Sequence, residues 1–315
     1  MTFFFAGTLN LYLLGDKSQD IEIVPGLRLT NDKRIIDRVL SEKIIPLVGY
    51  LEYNNLINCK AILYYNYTDD DLKVFNTENK IEILFVILNW IDDFLKNSWL
   101  FKDNCMMADI GYLITFNDSG TEASSLRLNY KLSTSENDEK EDFCLSEDDL
   151  RKLVDDHDKI EKYLFEKQSS SMRFMMEKGY SRIARSLIFV KQAREARNLA
   201  YKISNYCSAF ETIFSTDSSE LTYKLSERVS FFLKDERSKI ETFKALKSAY
   251  SIRSKLTHGD VLSPKQINDI YDIAKVTDEI LRLALNKIIW DDKLSSIFDS
   301  KNEEVDRYFE ELIFE

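Results

Sequence analysis

The spacing of hydrophobic residues is mixed in the first half of the chain and helical only after Gln168. Upstream, apolar residues gather in short runs separated by turn signals. Residues 3–14 are rich in Phe, Leu and Tyr and predict a strand. Residues 21–29 predict a second strand, interrupted by Pro25-Gly26. Residues 61–67 predict another. Residues 110–116 and 126–132 predict two more, joined through the turn signal Asn117-Asp118-Ser119-Gly120. Between these runs, Ile35, Ile36, Val39, Leu40 and Ile44 fall on one helical face, and residues 81–95 are apolar and long enough for a buried helix.

Residues 133–149 are dense in Ser, Glu and Asp, which predicts a solvated loop and a domain boundary. Ser146 with Asp149 three positions on resembles a capping box opening a helix to about residue 168, with Leu150, Leu153, Val154 and Ile160 on its apolar face. Beyond it the spacing is helical only, over residues 173–189, 194–214, 220–233 and 240–257. Gly259 suits the C-terminal cap of the fourth of these. A fifth opens at Ser263, with Pro264 at its first position and Gln266 completing a capping box, and runs to Ile289. Residues 291–315 are acidic and carry a short amphipathic helix over 304–313, expected to dock on the bundle. The expected organisation is an α+β domain over 1–145, an all-α helical domain over 146–290, and an acidic C-terminal segment over 291–315.

Composition sharpens this picture. Hydrophobic residues make up 44% of 315, enough for packed cores, and only 8 Gly and 3 Pro favour helices over a Gly-rich β protein. The net charge of -11 disfavours a nucleic-acid binder as a whole, yet residues 173–262 hold 17 Lys and Arg against 10 Asp and Glu. That stretch is a basic island in an acidic chain. Cys59, Cys105, Cys144 and Cys207 are far apart with no C-x-x-C pair, as in a chain kept reduced. Two histidines leave no zinc set, so neither metal nor cofactor is expected. Asp69-Asp70-Asp71 reads as a turn rather than a metal site. Residues 1–15 are apolar but lack the basic segment of a signal peptide and are too short to cross a bilayer. A cytoplasmic protein without membrane contact is expected.

The candidate chemistry lies in residues 247–260. Arg253 and His258 stand five apart, with Ser254 after the arginine and Gly259 after the histidine. RNA is cut when its own 2′-hydroxyl attacks the adjacent phosphate, which needs a base at that oxygen and positive charge on the phosphate. An unperturbed imidazole titrates near pH ~6.5, close to the working pH. A guanidinium fork matches phosphate oxygens. On an ideal helix, positions five apart differ by about 140°, so Arg253 and His258 flank a groove, while Ser254 shares the face of His258. Lys255, Arg228 and Lys224 are candidate phosphate contacts. The bland alternative is that Arg253 and His258 only favour a helix C-terminus electrostatically. His157 reads as an ordinary surface or half-buried histidine, and Glu211 as a partner for a basic residue inside the bundle.

Three stretches in order, YCSAFETIF at 206–214, ELTYKLSERVSFFL at 220–233 and AYSIRSKLTHG at 249–259, resemble the Apea-like HEPN domain. The resemblance covers about residues 173–289. It implies an all-α HEPN helical bundle that commonly dimerises, and metal-independent RNA cleavage in bacterial defence against phage. It places Arg253 and His258 as catalytic residues, with Ser254 where relatives commonly carry Asn, Asp or His. The implied function is an endoribonuclease effector. Its N-terminal half would sense a phage or host trigger, regulate, or position substrate. Two alternatives stay open: a non-catalytic HEPN module binding RNA, nucleotide or a partner protein, and the toxin of a toxin–antitoxin pair.

Overall fold

The computed structural model describes residues 2–13, 18–118, 120–128, 132–134, 143–165, 181–217 and 221–314. The chain divides into two compact units, Met1–Lys131 with Lys140–Asp158, and Leu132–Glu139 with Lys159–Glu315. The first is α+β and built on an antiparallel sheet; the second is helical.

The first unit begins with β1 (Thr2–Leu9), β2 (Leu11–Leu13), β3 (Asp20–Val24) and β4 (Leu27–Thr30). The expected break at Pro25-Gly26 is the β3–β4 turn, where Gly26 takes φ +86, a conformation that suits glycine. Then follow α1 (Lys33–Val39), α2 (Ile45–Val48), α3 (Tyr50–Ile57), β5 (Ile62–Tyr67), α4 (Asp69–Lys73) and α5 (Lys80–Asn97). After these come β6 (Met107–Asn117), β7 (Gly120–Arg127), β8 (Phe143–Leu145) and the start of α6 (Glu147–Phe165). The six-stranded sheet runs β3-β4-β5-β1-β6-β7, and its described neighbours all pair antiparallel.

Both faces of the sheet are covered, and strand alternation sorts the side chains. Phe4, Leu63 and Leu113 meet Leu84, Leu88 and Ile91 of α5. Phe5, Ile62 and Ile114 point the other way onto Ile36, Leu40 and Leu56 of the small helices. The strand expected over 126–132 lies earlier. Asn117 pairs with Gly120, so the return strand starts at the turn and runs through polar GTEASSLR. An edge strand pairs through its backbone and needs few apolar side chains, which is why hydrophobicity missed it.

At its described ends the boundary departs from the solvated loop that its composition predicts. Residues 135–142 lie outside the described residues, but Leu132, Ser133 and Thr134 are buried in the helical unit. The Ser133 N–H donates to the Arg194 carbonyl at 2.9 Å, and the buried Lys202 ammonium donates to the Ser133 carbonyl at 2.8 Å. The chain then returns to the first unit, where β8 pairs with β2 in parallel. The boundary between the two units, near Asp158, falls inside α6. The Ser146–Asp149 capping box is present, with reciprocal bonds of 2.7–3.1 Å.

The helical unit contains α7 (Arg182–Glu195), α8 (Leu199–Phe214), α9 (Leu221–Phe232), α10 (Lys239–His258), α11 (Pro264–Asn268), α12 (Ile270–Ile289), α13 (Asp292–Phe298) and α14 (Asn302–Phe314). The first part of the expected 173–189 helix lies outside the described residues. The fifth expected helix is two: a short α11 behind the Ser263–Gln266 capping box, then α12. The acidic segment is no tail. Phe298 and Phe309 are buried against Phe214 of α8, with Phe232 of α9 also on Phe298. None of the described helices is long and apolar enough to cross a membrane.

Candidate functional site

The α10 helix sorts its residues onto two faces. Leu246, Ala249 and Tyr250 are buried, and Arg253 continues that inner stripe. Ile240, Lys244, Lys247, Ser251, Ser254 and His258 are all exposed and recur at spacings of three and four, forming one outer stripe. The motif is therefore split around the helix, as five-residue spacing requires.

On the inner face, the Arg253 guanidinium forms an ion pair with the Glu211 carboxylate of α8. It also lies over the Tyr250 ring, 5.7 Å from its centroid. Burial alone would pull the Arg253 pKa down, but the Glu211 charge more than offsets this and holds it above the ordinary arginine value. Burial raises Tyr250 well above an ordinary tyrosine, helped by the neighbouring Cys207 and Glu211, and its hydroxyl donates to the Cys207 carbonyl at 3.1 Å. The expectation that Glu211 pairs inside the bundle is met, and its partner is the motif arginine.

On the outer face, His258 is the last residue of α10. Among the described residues its imidazole makes no hydrogen bond or ion pair. The helix end is closed by backbone instead: Gly259 sits at φ 74, its N–H reaches the Leu256 carbonyl, and the Asp260 N–H reaches the Lys255 carbonyl at 2.8 Å. This is a Schellman arrangement, which satisfies the last carbonyls without a side chain. Gln266 braces the same region, accepting from Lys255 Nζ at 2.7 Å and donating to Ser251 Oγ at 3.0 Å.

The candidate phosphate contacts fare differently. Lys255 is half-buried and held by Gln266, and Lys224 pairs with Asp217 at 2.6 Å. Arg228 is buried. Its guanidinium bonds the Phe214 carbonyl at 2.9 Å, pairs with Asp306 and stacks over Phe309. It fastens α14 to α9 and does not face solvent, because the acidic segment folds over it. Lys244 and Lys247 were missed as candidates. Their signal was the spacing of 14 and 11 residues back from His258, which returns to the same helical face.

His157 is not a surface histidine. It is buried in the first unit, with Nδ1 at 3.2 Å from Asn97 Nδ2 and its ring edge-on to Trp90 and Phe94. The Asp69-Asp70-Asp71 run opens α4, with Asp71 closing a capping box on Thr68 and Asp70 pairing with Lys73. Among the described residues no three His, Cys, Asp or Glu side chains converge as a metal set. Among the described residues no disulfide joins the cysteines.

No family model, curated protein or solved structure matches this chain. What the site does rests on its own residues and on the motif resemblance.

Proposed function

We propose that this chain is a metal-independent endoribonuclease of the HEPN type, with His258 as general base and Arg253 as the phosphate-binding cation. The observation that carries the reading is the exposed His258 imidazole beside a helix end already closed by Gly259 and Asp260. The helix end needs no capping hydrogen bond from this histidine, which leaves its ring nitrogens available for proton transfer. Lys244 and Lys247 on the same stripe give an RNA backbone a basic track towards it. Ser254, one turn before His258, orients the imidazole or meets phosphate. Lys224 and Lys255 stand as flanking contacts, and Arg228 acts through the fold.

Arg253 faces inward on its own chain, so the reading calls for a second copy. We infer a homodimer through the helical unit, whose two-fold interface brings two Arg253–His258 sets into one cleft, so that Arg253 of one copy can serve His258 of the other. Mixing Arg253→Ala with His258→Ala chains then restores cleavage that neither has alone. The cellular role follows the resemblance: an anti-phage effector, or the toxin of a pair. Growth arrest by the wild type and not by His258→Ala tests it.

The mechanism predicts cutting in EDTA. It also predicts fragments with 2′,3′-cyclic phosphate and 5′-hydroxyl ends, and resistance of 2′-deoxy or 2′-O-methyl RNA. His258→Ala should lose at least a hundredfold in rate, the lower range of what one general base contributes, while its melting temperature stays unchanged. Loss of cutting on chelation with 5′-phosphate ends refutes the mechanism. A second reading is favoured by the Glu211–Arg253 pair, which holds the motif cation inside the fold: a non-catalytic module that binds RNA or a protein. Under it, His258→Ala keeps every activity of the wild type.

A further inference from the structure

The inner face of α10 opens onto a cleft of about 610 Å³ that His258 does not line. Its wall is made by Arg182, Arg185 and Phe189 of α7, by Glu211 and the end of α8, by Leu221 of α9 and by Arg253. A volume of this size falls within the ~300–1,000 Å³ typical of small-molecule sites.

The charges in this cleft are unequally compensated. Arg253 has Glu211, and Asp217 has Lys224. Arg182 is buried, with Nη1 donating to the Thr212 and Ser215 carbonyls and Nη2 to Asn302. It closes the end of α8, and none of these partners carries charge. Arg185 has still less. Its Nε is buried without a hydrogen-bond partner, and among the described residues its guanidinium meets no carboxylate. Burial and the Arg185 charge beside it pull Arg182 below the ordinary arginine value, and Asp299 and Asp306 only partly offset this.

A buried guanidinium N–H without an acceptor costs stability, because its lost hydration is not replaced. The fold keeps this one beside a second arginine, facing open space. The hydroxyls around it already donate elsewhere: Ser208 to Ser204, Thr212 to Ala209, Ser215 to Asp217, Thr216 to Asp306. Besides the Asn302 amide, which donates to the Thr216 carbonyl, the donors left for a ligand on the described wall are guanidinium N–H groups, which match the paired oxygens of phosphate. Phe189 and Leu221 supply an apolar wall for an organic group beyond the phosphate.

We propose that this cleft binds the phosphate group of a small phosphate monoester, with Arg185 as its principal contact and Arg182 and Arg253 alongside. A phosphate monoester near pH 7 carries about -1.5 to -2 charge, which answers two adjacent arginines at once. The site shares Arg253 with the ribonuclease reading but neither His258 nor the outer stripe, so His258→Ala separates the two.

The test is calorimetric titration and thermal melting at pH 7.5 and fixed chloride. Inorganic phosphate and ribose 5-phosphate are the probes, with ribose and succinate as controls. Phosphate and ribose 5-phosphate should bind saturably and raise the melting temperature, ribose 5-phosphate more tightly; the controls should not. Arg185→Met should weaken binding at least tenfold, Arg185→Lys less, and His258→Ala not at all. Without ligand, Arg185→Met should melt no lower than wild type, because it removes an unanswered charge. The proposal is overturned if neither phosphate probe gives a saturable response, or if Arg185→Met binds them as wild type does. Lower ligand-free stability of Arg185→Met would also overturn it, since Arg185 would then serve the fold. So would loss of RNA binding by Arg185→Met in a protein that ignores both phosphate probes, since the cleft would then belong to RNA.

Discussion

Arg253 and Glu211 face each other with side chains only 26% and 21% exposed. A pair so covered is worth more than a surface salt bridge, and breaking one side leaves the other half-buried and unanswered. Glu211→Gln should lower stability by about 1–2 kcal/mol, between the surface and buried cases. The Glu211→Gln/Arg253→Gln double variant should recover part of that loss. Denaturant melts of the four proteins give the coupling directly, and strict additivity would show that the pair contributes nothing. In the first unit, Asp32 caps α1 and bonds both the guanidinium and the backbone N–H of Arg34, which lowers its carboxyl from 3.8 to about 2. A depressed carboxylate stabilises the fold above its unfolded pKa and loses that contribution as pH falls through the folded one. Asparagine is an equally good cap, so the gap between wild type and Asp32→Asn should be constant above about pH 5 and narrow from pH 4 towards 2. Urea melts across that range check it; a gap independent of pH would mean that the carboxylate's charge plays no part.

At the scale of elements, the end of α10 decides where His258 stands. Gly259 holds φ 74, and a Cβ there would meet nothing within 4 Å. The cost of Gly259→Ala is then backbone alone, about 1–2 kcal/mol for a non-glycine residue in the left-handed region. Gly259→Asn should cost less, because asparagine tolerates that region. Thermal melts measure both, and an alanine variant as stable as wild type would mean that the turn rearranges. Turn and cap chemistry was legible in the chain at this scale. The Ser146–Asp149 and Ser263–Gln266 boxes, the Pro25-Gly26 turn and the Gly259 cap all lie where short-range hydrogen bonding puts them. The polar edge strand β7 was not legible, because its order comes from a neighbour's backbone.

In the whole molecule, the C-terminal helices are part of the helical unit's core. Phe309 is 1% exposed, 5.9 Å from the Phe214 ring and 6.0 Å from Phe298, with the Arg228 guanidinium 4.9 Å above it. Phe309→Ala should therefore cost about 3–5 kcal/mol, the usual range for a buried aromatic. Chemical denaturation followed on the helical signal checks this, and a loss under 1 kcal/mol, well below that range, would mean that α14 docks only loosely.

The periods of the strongly patterned elements and the caps of their ends follow from sequence alone, because each depends on residues within a few positions of one another. The split of Arg253 and His258 onto two faces of one helix was also readable, since helical geometry turns spacing into direction. What the tertiary structure decided is the fate of the basic island. Arg182, Arg194, Lys202 and Arg228 all lie in the basic island of the sequence; in the fold all four are buried. Lys202 and Arg228 hold distant segments, Ser133 and Asp306, that sequence distance hides. Arg253 is turned to Glu211 by the crossing of α8 and α10, and Arg185 is left facing an open cleft. Whether a charge meets solvent, a carboxylate or nothing depends on which elements pack beside it, and local pattern carries no information about that.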